Sequence, residues 1–326
     1  MAQSKIRVAV LRGGPSSEYE VSLKTGASVL KHLPSHYEAL DVFIDKKGVW
    51  HIKGIPVTPI TIHRRADVVF NALHGEYGED GTVQRILETL HIPFTGSGSL
   101  ASAIGMNKAL AKEYFIKHNI KTPLFKVVDK KDYIPLETAL DIHKTFPQPC
   151  VIKPVNGGSS VATSIAKTVK EIDTALGKVF ALSDKALVEE YIKGKEATCA
   201  VIDDFRNTSV YSLLPIEIIP QPHQDFFDFE SKYSGDNGAL EICPGRFTQK
   251  EKQSIQAIAE SIHKAVGARH YSRSDFIVHP RRGIYALEIN TLPGLTEASL
   301  LPKAIEAIGS SYSELLDHLI KLALKK

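Results

Sequence analysis

Residues 8–30 read VAVLRGGPSSEYEVSLKTGASVL, and no other stretch narrows the fold of this chain as much. A short apolar run that suits a buried strand meets two glycines, and a helical pattern follows. A second apolar run, ADVVFNAL, and a second helical pattern, TVQRILETL, lie within the first hundred residues. Strands alternating with helices predict a small parallel sheet covered by helices. A helix N-terminus behind a glycine turn normally serves a phosphate, because its free N–H groups and dipole favour negative charge. This helix opens with two carboxylates, Glu18 and Glu20, which repel phosphate. Ser17 and Glu20 have the spacing of a capping box, which gives Glu20 a structural role. Glu18 is left over in the first turn. From the residues alone its role is dipole compensation, worth at most ~1 kcal/mol.

At 326 residues the chain exceeds one ordinary core, so two or three domains are expected. Charged residues make up 24% and apolar ones 43%, the balance of a soluble globular protein. The net charge of +3 is too small a bias to argue for nucleic acid or an anionic membrane. Cys150, Cys199 and Cys243 are scattered. They form neither a disulfide framework nor a metal-ligand spacing, which suits a reducing cytoplasm. The N-terminal apolar run stops at Arg12, too short for a signal segment, and no run approaches a membrane span.

Past the turn-rich IPFTGSGS (92–99), ASAIGMNKALAKEYFIKHNI reads as one long amphipathic helix. CVIKPV is a strand that runs into NGGSSV, and a helical stretch follows. ALVEEYIKGKEATCAVI is strand, turn and strand. PIEIIPQPHQDFFDFESKYSGDNG has no clear period and reads as a long excursion loop, a kind that is often functional. QKEKQSIQAIAESIHKAVG is a helix, and the chain closes with another. These patterns predict units at 1–97, 98–188 and 189–326.

SDFIVHPRRGIYALEIN (274–290) carries the strongest chemistry. With Arg281 and Arg282 at the tip of the turn, antiparallel register sets Asp275 opposite Glu288. Like charges facing across a strand pair are destabilising, and a cation between them removes the conflict. Asn290 falls on the same face, with Phe276, Leu287 and Ile289 on the other. Two carboxylates and an amide oxygen suit Mg²⁺ or Mn²⁺ rather than Zn²⁺. A solvated strand face is the plainer alternative.

In IKPVNGGSSV, Lys153 sits within an apolar strand, just before Gly157-Gly158-Ser159-Ser160. A lysine there needs an anionic partner, and glycines let backbone N–H groups approach phosphate. No P-loop spacing exists, so a hairpin flap over a nucleotide fits better than a P-loop; a plain turn is the alternative. LVEEYIKGKE offers Glu189, Glu190, Tyr191 and Glu196, groups that suit an adenine slot and a ribose, although charged residues near a turn are usually just solvated.

Taken in order, GGPSSEYEVSL, ALHGEYGEDGTVQ, PFTGSG, MNKALAK, VIKPVNGGSSV, EEYIKGKE, FFDFESKY, SDFIV and LEINTLPGLTEASLLP resemble the D-alanine:D-alanine ligase family of the ATP-grasp superfamily. The resemblance spans nearly the whole chain. It implies an N-terminal parallel α/β domain followed by two α+β domains that clasp ATP. It also implies an acyl-phosphate mechanism that joins two D-alanine molecules for peptidoglycan precursors, two Mg²⁺ or Mn²⁺ ions, and a homodimer. On the matching positions, Glu18 holds the first D-alanine's ammonium, Ser159 and Tyr233 bond with it, and His74 stands beside that substrate. Lys108, Lys153 and Lys232 contact phosphate, and Ser160 joins them in the ATP site. Glu189, Tyr191, Ile192 and Glu196 form the adenine and ribose pocket. Asp275, Glu288 and Asn290 hold the metal ions. Arg273 and the Gly294 N–H stabilise an oxyanion, while Ser299 and the Leu300 N–H clamp the second substrate's carboxylate.

Several positions depart from the family pattern. Phe227 and Phe229 replace frequent tyrosines, Ala162 a frequent glycine, and Asn107 a frequent aspartate. Arg246 stands where a small or apolar residue is expected, with no assigned role. Tyr233, where relatives that join D-lactate tend to carry histidine, points to an amine nucleophile. The rivals are an ATP-grasp ligase with another second substrate such as D-serine or D-lactate, a non-catalytic binding homologue, and a dinucleotide-dependent oxidoreductase. The last lacks the glycine fingerprint at its first turn.

Overall fold

The structure is a computed structural model that describes residues 5–158, 162–220 and 239–325. It is built on three sheets. The first comprises β1 (Ile6–Gly13), α1 (Tyr19–His32), β2 (Tyr37–Ile44), β3 (Trp50–Ile52), β4 (Ile55–Val57), α2 (Pro59–Arg65), β5 (Val68–Asn71) and α3 (Thr82–Thr89). Its strand order is β4-β3-β2-β1-β5. The β2-β1-β5 core is parallel as expected, and an antiparallel edge of β3 and β4 extends it. Val8 to Leu11 are fully buried because β1 is covered on both faces.

The glycine turn after β1 has a steric cause. Gly13 and Gly14 adopt φ of +91° and +98°, and a Cβ on Gly13 would lie 2.2 Å from the Ile44 carbonyl oxygen. Only glycine fits this left-handed, crowded position. The expected capping box is not formed. Glu18 occupies the N-cap of α1 without a side-chain cap bond, and the Ser17 hydroxyl instead donates to Glu76 Oε2 at 3.2 Å. The loop is tied down by Glu76 rather than by Glu20, which is exposed.

The middle of the chain contains α4 (Ser99–Met106), α5 (Lys108–Lys117), β6 (Phe125–Asp129), α6 (Glu137–Thr145), β7 (Cys150–Pro154), β8 (Ser164–Ala166), α7 (Val169–Phe180) and β9 (Lys185–Glu190). The single long helix expected over 101–120 is in fact two. Asn107 breaks it, its backbone extended and its Oδ1 accepting the Leu110 N–H at 2.9 Å, an N-cap that restarts the helix. The sheet β6-β9-β7-β8 is antiparallel and shares a core with α6 and α7. By contrast, Ile104, Ala111 and Phe115 of α4 and α5 pack into the core of the third sheet.

That sheet combines β10 (Lys195–Phe205), β11 (Thr208–Ser212), β12 (Ile216–Ile219), β13 (Leu240–Ile242), α8 (Gln249–Ala265), β14 (Tyr271–His279) and β15 (Gly283–Asn290), followed by α9 (Leu300–Glu306) and α10 (Tyr312–Leu324). The order is β13-β12-β10-β14-β15, with β11 also on β10. The start of the expected excursion loop is strand β12, because Ile216 and Ile218 are buried against β10. Leu315, Leu316, Leu319 and Ile320 of α10 bury against Val8, Val10 and Phe70, so the first and third sheets share one core.

A polar link reinforces this junction. His270 Nδ1 accepts the Gly96 N–H at 3.1 Å. The His270 N–H donates to Asp203 Oδ2 at 2.5 Å, and buried His263 bridges Asp203 and Ser272. Those three groups are spaced like a hydrolytic triad, but Ser272 is fully buried and no substrate reaches it.

Candidate functional site

The second and third sheets, together with α1 and the loop after β5, line one cleft of about 2230 Å³. A pocket for a single small ligand measures roughly 300–1,000 Å³, so this cleft has room for a nucleotide and further substrates together.

The hairpin β14–β15 forms the floor. Its register pairs Asp275 with Glu288 and Arg273 with Asn290, as expected, but by a different route. The tip is Pro280–Arg282, with His279 facing Gly283. Continued regularly, that register would set Asp275 against Leu287. A bulge between Asp275 and Phe276 inserts one extra residue. Such an insertion moves every later side chain to the other face. Glu288 and Asn290 thereby join Asp275 and Arg273 on the cleft side. Leu287 is displaced from the back face where it was expected; it lines the cleft and packs beside Ile192, Ile277 and Tyr285.

Asp275 is held firmly. Arg273 donates to it through Nε at 3.0 Å and Nη2 at 2.9 Å. The buried Thr198 hydroxyl donates to Oδ1 at 2.6 Å. Lys108 Nζ lies 3.8 Å from Glu288 Oε2 and also bonds the Gly157 carbonyl. Asn290 Oδ1 accepts the Leu292 N–H at 2.8 Å. This oxygen-rich set fits a hard divalent cation. Among the described residues no cluster of three His, Cys, Asp or Glu side chains offers an alternative metal site.

One wall is the strand pair β7–β9. Lys153 Nζ is 2.5 Å from Glu189 Oε2, and Lys112 Nζ, fully buried, is 2.5 Å from Glu189 Oε1. The Glu189 carboxylate, expected in the adenine and ribose pocket, is thus shared between two lysines at the cleft wall. Burial alone would raise the Glu189 carboxyl, but Lys112 and Lys153 outweigh it and hold it below its ordinary range. Burial pulls Lys153 down, yet the charges of Glu189 and then Glu288 raise its ammonium above the usual lysine value. For Lys112 burial wins, and its value falls to about 8. Tyr191 and Ile192 connect β9 to β10, Glu196 follows at the start of β10, and all three line the cleft.

Residues 155–158 follow β7 and Ala162 stands just before β8. Gly157 adopts φ +103°, and Ala162 a left-handed +57° that favours glycine. Glu18 comes from the opposite, N-terminal side, and a Cβ on Gly158 would lie 2.8 Å from its Oε1. The Glu18 carboxylate and the flap therefore meet. Ser159, Ser160, Lys232 and Tyr233 lie outside the described residues, as do Phe227 and Phe229.

His74 also lines the cleft, with both ring nitrogens engaged. Nε2 is 2.9 Å from Thr25 Oγ1 and Nδ1 is 3.1 Å from Glu79 Oε1. At the far end Ser299 is the N-cap residue of α9, directly before Leu300. Its Oγ accepts the Thr296 N–H at 3.0 Å and stands 3.0 Å from where a Gly294 Cβ would be.

Sequence reasoning missed Lys112, Thr198, Thr25 and Glu79, because lysines, threonines and glutamates at such positions carry no motif of their own. It left Arg246 unexplained. That side chain donates to buried Glu217 through Nε at 2.9 Å and Nη2 at 3.3 Å. Burial favours the protonated Glu217, but these bonds hold its carboxyl below the ordinary range.

Two family models match the chain. One, described as D-ala D-ala ligase N-terminus, covers residues 7–59 and 54–97, and the other, D-ala D-ala ligase C-terminus, covers 114–321. A D-alanine–D-alanine ligase of Geobacter sulfurreducens is 39% identical over 96% of this chain and 93% of its own length. One from Clostridium beijerinckii is 38% identical over 98% and 99%. Among solved structures, a D-Ala:D-Ser ligase of Enterococcus faecalis superposes with TM-score 0.85 at 30% identity, covering 98% of this chain and 100% of that one. A Bacillus anthracis D-alanine–D-alanine ligase complexed with ATP gives 0.77 at 31% identity, covering 98% and 97%.

Proposed function

The chain belongs to the D-alanine–D-alanine ligase family and is an ATP-dependent ligase joining two D-alanine molecules, and we propose how its own residues carry the reaction. The observation that supports the reading most is the bulged hairpin. It gathers Asp275, Glu288, Asn290 and Arg273 on one face, in the same cleft as Lys108, Lys153 and Glu18.

In this reading residues 1–97 supply the first-substrate wall, 98–188 the flap and phosphate lysines, and 189–326 the metal and second-substrate sites. Glu18 binds the ammonium of the first D-alanine, with His74 fixed beside it by Thr25 and Glu79. The substrate carboxylate then faces the triphosphate. Lys108 and Lys153 hold the phosphates, with Ser160 and Lys232 in the same site; Glu189, Tyr191, Ile192 and Glu196 border the adenosine. Asp275, Glu288 and Asn290 would hold Mg²⁺ or Mn²⁺, which when bound neutralises the charge of the triphosphate.

A carboxylate is a poor electrophile, so it is activated first. Its oxygen bonds to the γ-phosphorus, the phosphoanhydride bond breaks, and ADP leaves. The amine of the second D-alanine, its carboxylate clamped by Ser299 and the Leu300 N–H, attacks the acyl phosphate. Arg273 and the Gly294 N–H stabilise the oxyanion, a contribution of roughly 3 kcal/mol for one preorganised donor. The new C–N bond replaces the C–O bond as phosphate departs. Acyl phosphates hydrolyse in open water, so the flap, with Ser159 and Tyr233, serves to exclude it. We assign the protein to the cytoplasm as a homodimer; among the described residues no helix is long and apolar enough to cross a membrane.

The test is phosphate release with Mg²⁺-ATP and a panel of D- and L-amino acids plus D-lactate, together with sedimentation for the dimer. Turnover that requires D-alanine and the divalent cation, and yields the dipeptide, is expected. Bound ATP that is never consumed with any acceptor would leave a binding protein. A preference for D-serine or D-lactate as second substrate would reassign the nucleophile site.

A further inference from the structure

The lysine behind Lys153 has no role in the mechanism above. Lys112 lies one turn beyond Lys108 on α5, and its side chain has no exposure at all. It does not line the cleft. Its Nζ donates to Thr122 Oγ1 at 2.7 Å, and the Thr122 hydroxyl donates to the Ala286 carbonyl at 2.8 Å, so the ammonium is located from the β15 side as well. Its other neighbour is Glu189 Oε1, at 2.5 Å.

Stability is a weak reason for such an arrangement. Fully burying a charged group is costly, and a well-packed apolar residue usually serves a core as well or better. The count of charges suggests a different reason. Lys153 and Glu189 alone form a neutral pair, one to one. Lys112 makes the cluster two cations on one carboxylate, each cation on its own oxygen. The surplus positive charge emerges at the member that reaches the cleft, which is Lys153, about a tenth exposed.

We propose that Lys112 is a positioning residue for nucleotide binding: by occupying one oxygen of Glu189 it prevents that carboxylate from neutralising Lys153, and so keeps a net positive charge at the cleft wall for the triphosphate. This rests on the reading of Lys153 as a phosphate contact. It assigns Lys112 an electrostatic task performed through Glu189, without contact with the ligand.

The test measures dissociation constants of ATP and of adenosine for the full-length wild type, Lys112→Met, Lys112→Gln and the double variant K112M/E189Q, with Mg²⁺ present. Glutamine keeps a donor for Glu189 without the charge, so it covers the case in which methionine disturbs folding. The single variants should bind ATP about tenfold more weakly, with adenosine affinity within twofold of wild type. Adding E189Q to K112M frees Lys153 from its counter-charge and should restore the ratio of ATP to adenosine affinity to within threefold of wild type. Parallel loss of ATP and adenosine in the single variants, a double variant whose ratio of ATP to adenosine affinity stays as low as in K112M or falls further, wild-type ATP affinity in the single variants, or unfolding of both of them would each overturn the assignment. A wild type that binds no ATP would instead remove the phosphate reading beneath it.

Discussion

Glu18→Gln separates a substrate contact from a helix ornament. The residue is half-buried at the N-cap of α1, with Oε1 facing Gly158 of the flap. As dipole compensation its charge contributes at most ~1 kcal/mol of stability. As the anchor of an ammonium it makes a charge-assisted bond, about twice as strong as a neutral one. Gln keeps the size and an acceptor oxygen and removes the charge. The difference between a charged and a neutral hydrogen bond is then about 1.5 kcal/mol, which is about tenfold in affinity. Phosphate release as D-alanine is varied at saturating ATP should show half-saturation for the first D-alanine raised about tenfold. ATP affinity should stay within twofold, and unfolding free energy should fall by less than about 1 kcal/mol. Unchanged D-alanine dependence alongside the small stability loss would return Glu18 to the helix dipole. Equal loss of ATP and D-alanine affinity would mean that the substitution moves the flap instead.

Thr198→Val removes the buried hydroxyl that donates to Asp275 at 2.6 Å while keeping its shape. A bond to a charged acceptor is worth about 2 kcal/mol, and loss of an outer-shell orienting group costs about tenfold in metal affinity, so urea unfolding and the Mg²⁺ dependence of turnover should both shift; lost stability with unchanged Mg²⁺ dependence would make the bond structural only. The junction at His270 should be acid-labile. Its Nδ1 accepts from Gly96 and cannot do so when protonated, and burial, then the charge of Arg269, lowers its pKa from 6.5 to about 4. As pH falls the unfolded chain therefore takes up the proton first. The folded state's advantage is complete above about 6.5 and declines towards about 4, by about 3 kcal/mol. His270→Gln should flatten the profile of unfolding free energy between pH 4 and 7, and a wild-type profile already flat across that window would refute the mechanism.

The local patterns were legible because each rests on a short-range rule. The glycines at 13 and 14, the alternation that makes β1 a central strand, and the partner that Lys153 requires all follow from sterics and desolvation within a few residues. The ordered motifs carried the family and, with it, the expected site. Where neighbours distant in sequence decide, the reading failed. Asn107 splits a periodic helix because its side chain caps the second half, and Ser17 turns to Glu76 instead of forming a capping box.

The hairpin shows the boundary most clearly. Alternation along 274–290 with a tip at Arg281 and Arg282 sets Asp275 against Glu288, but the actual tip, Pro280–Arg282, would set it against Leu287, and the bulge that restores the pairing is a feature of the strand pair in three dimensions. Lys112, Thr198 and the Glu217–Arg246 pair are invisible along the chain for the same reason. Their meaning is electrostatic, it depends on which charge lies within a few ångströms, and only the packing of α5, β9, β10 and β12 around the cleft brings those charges together.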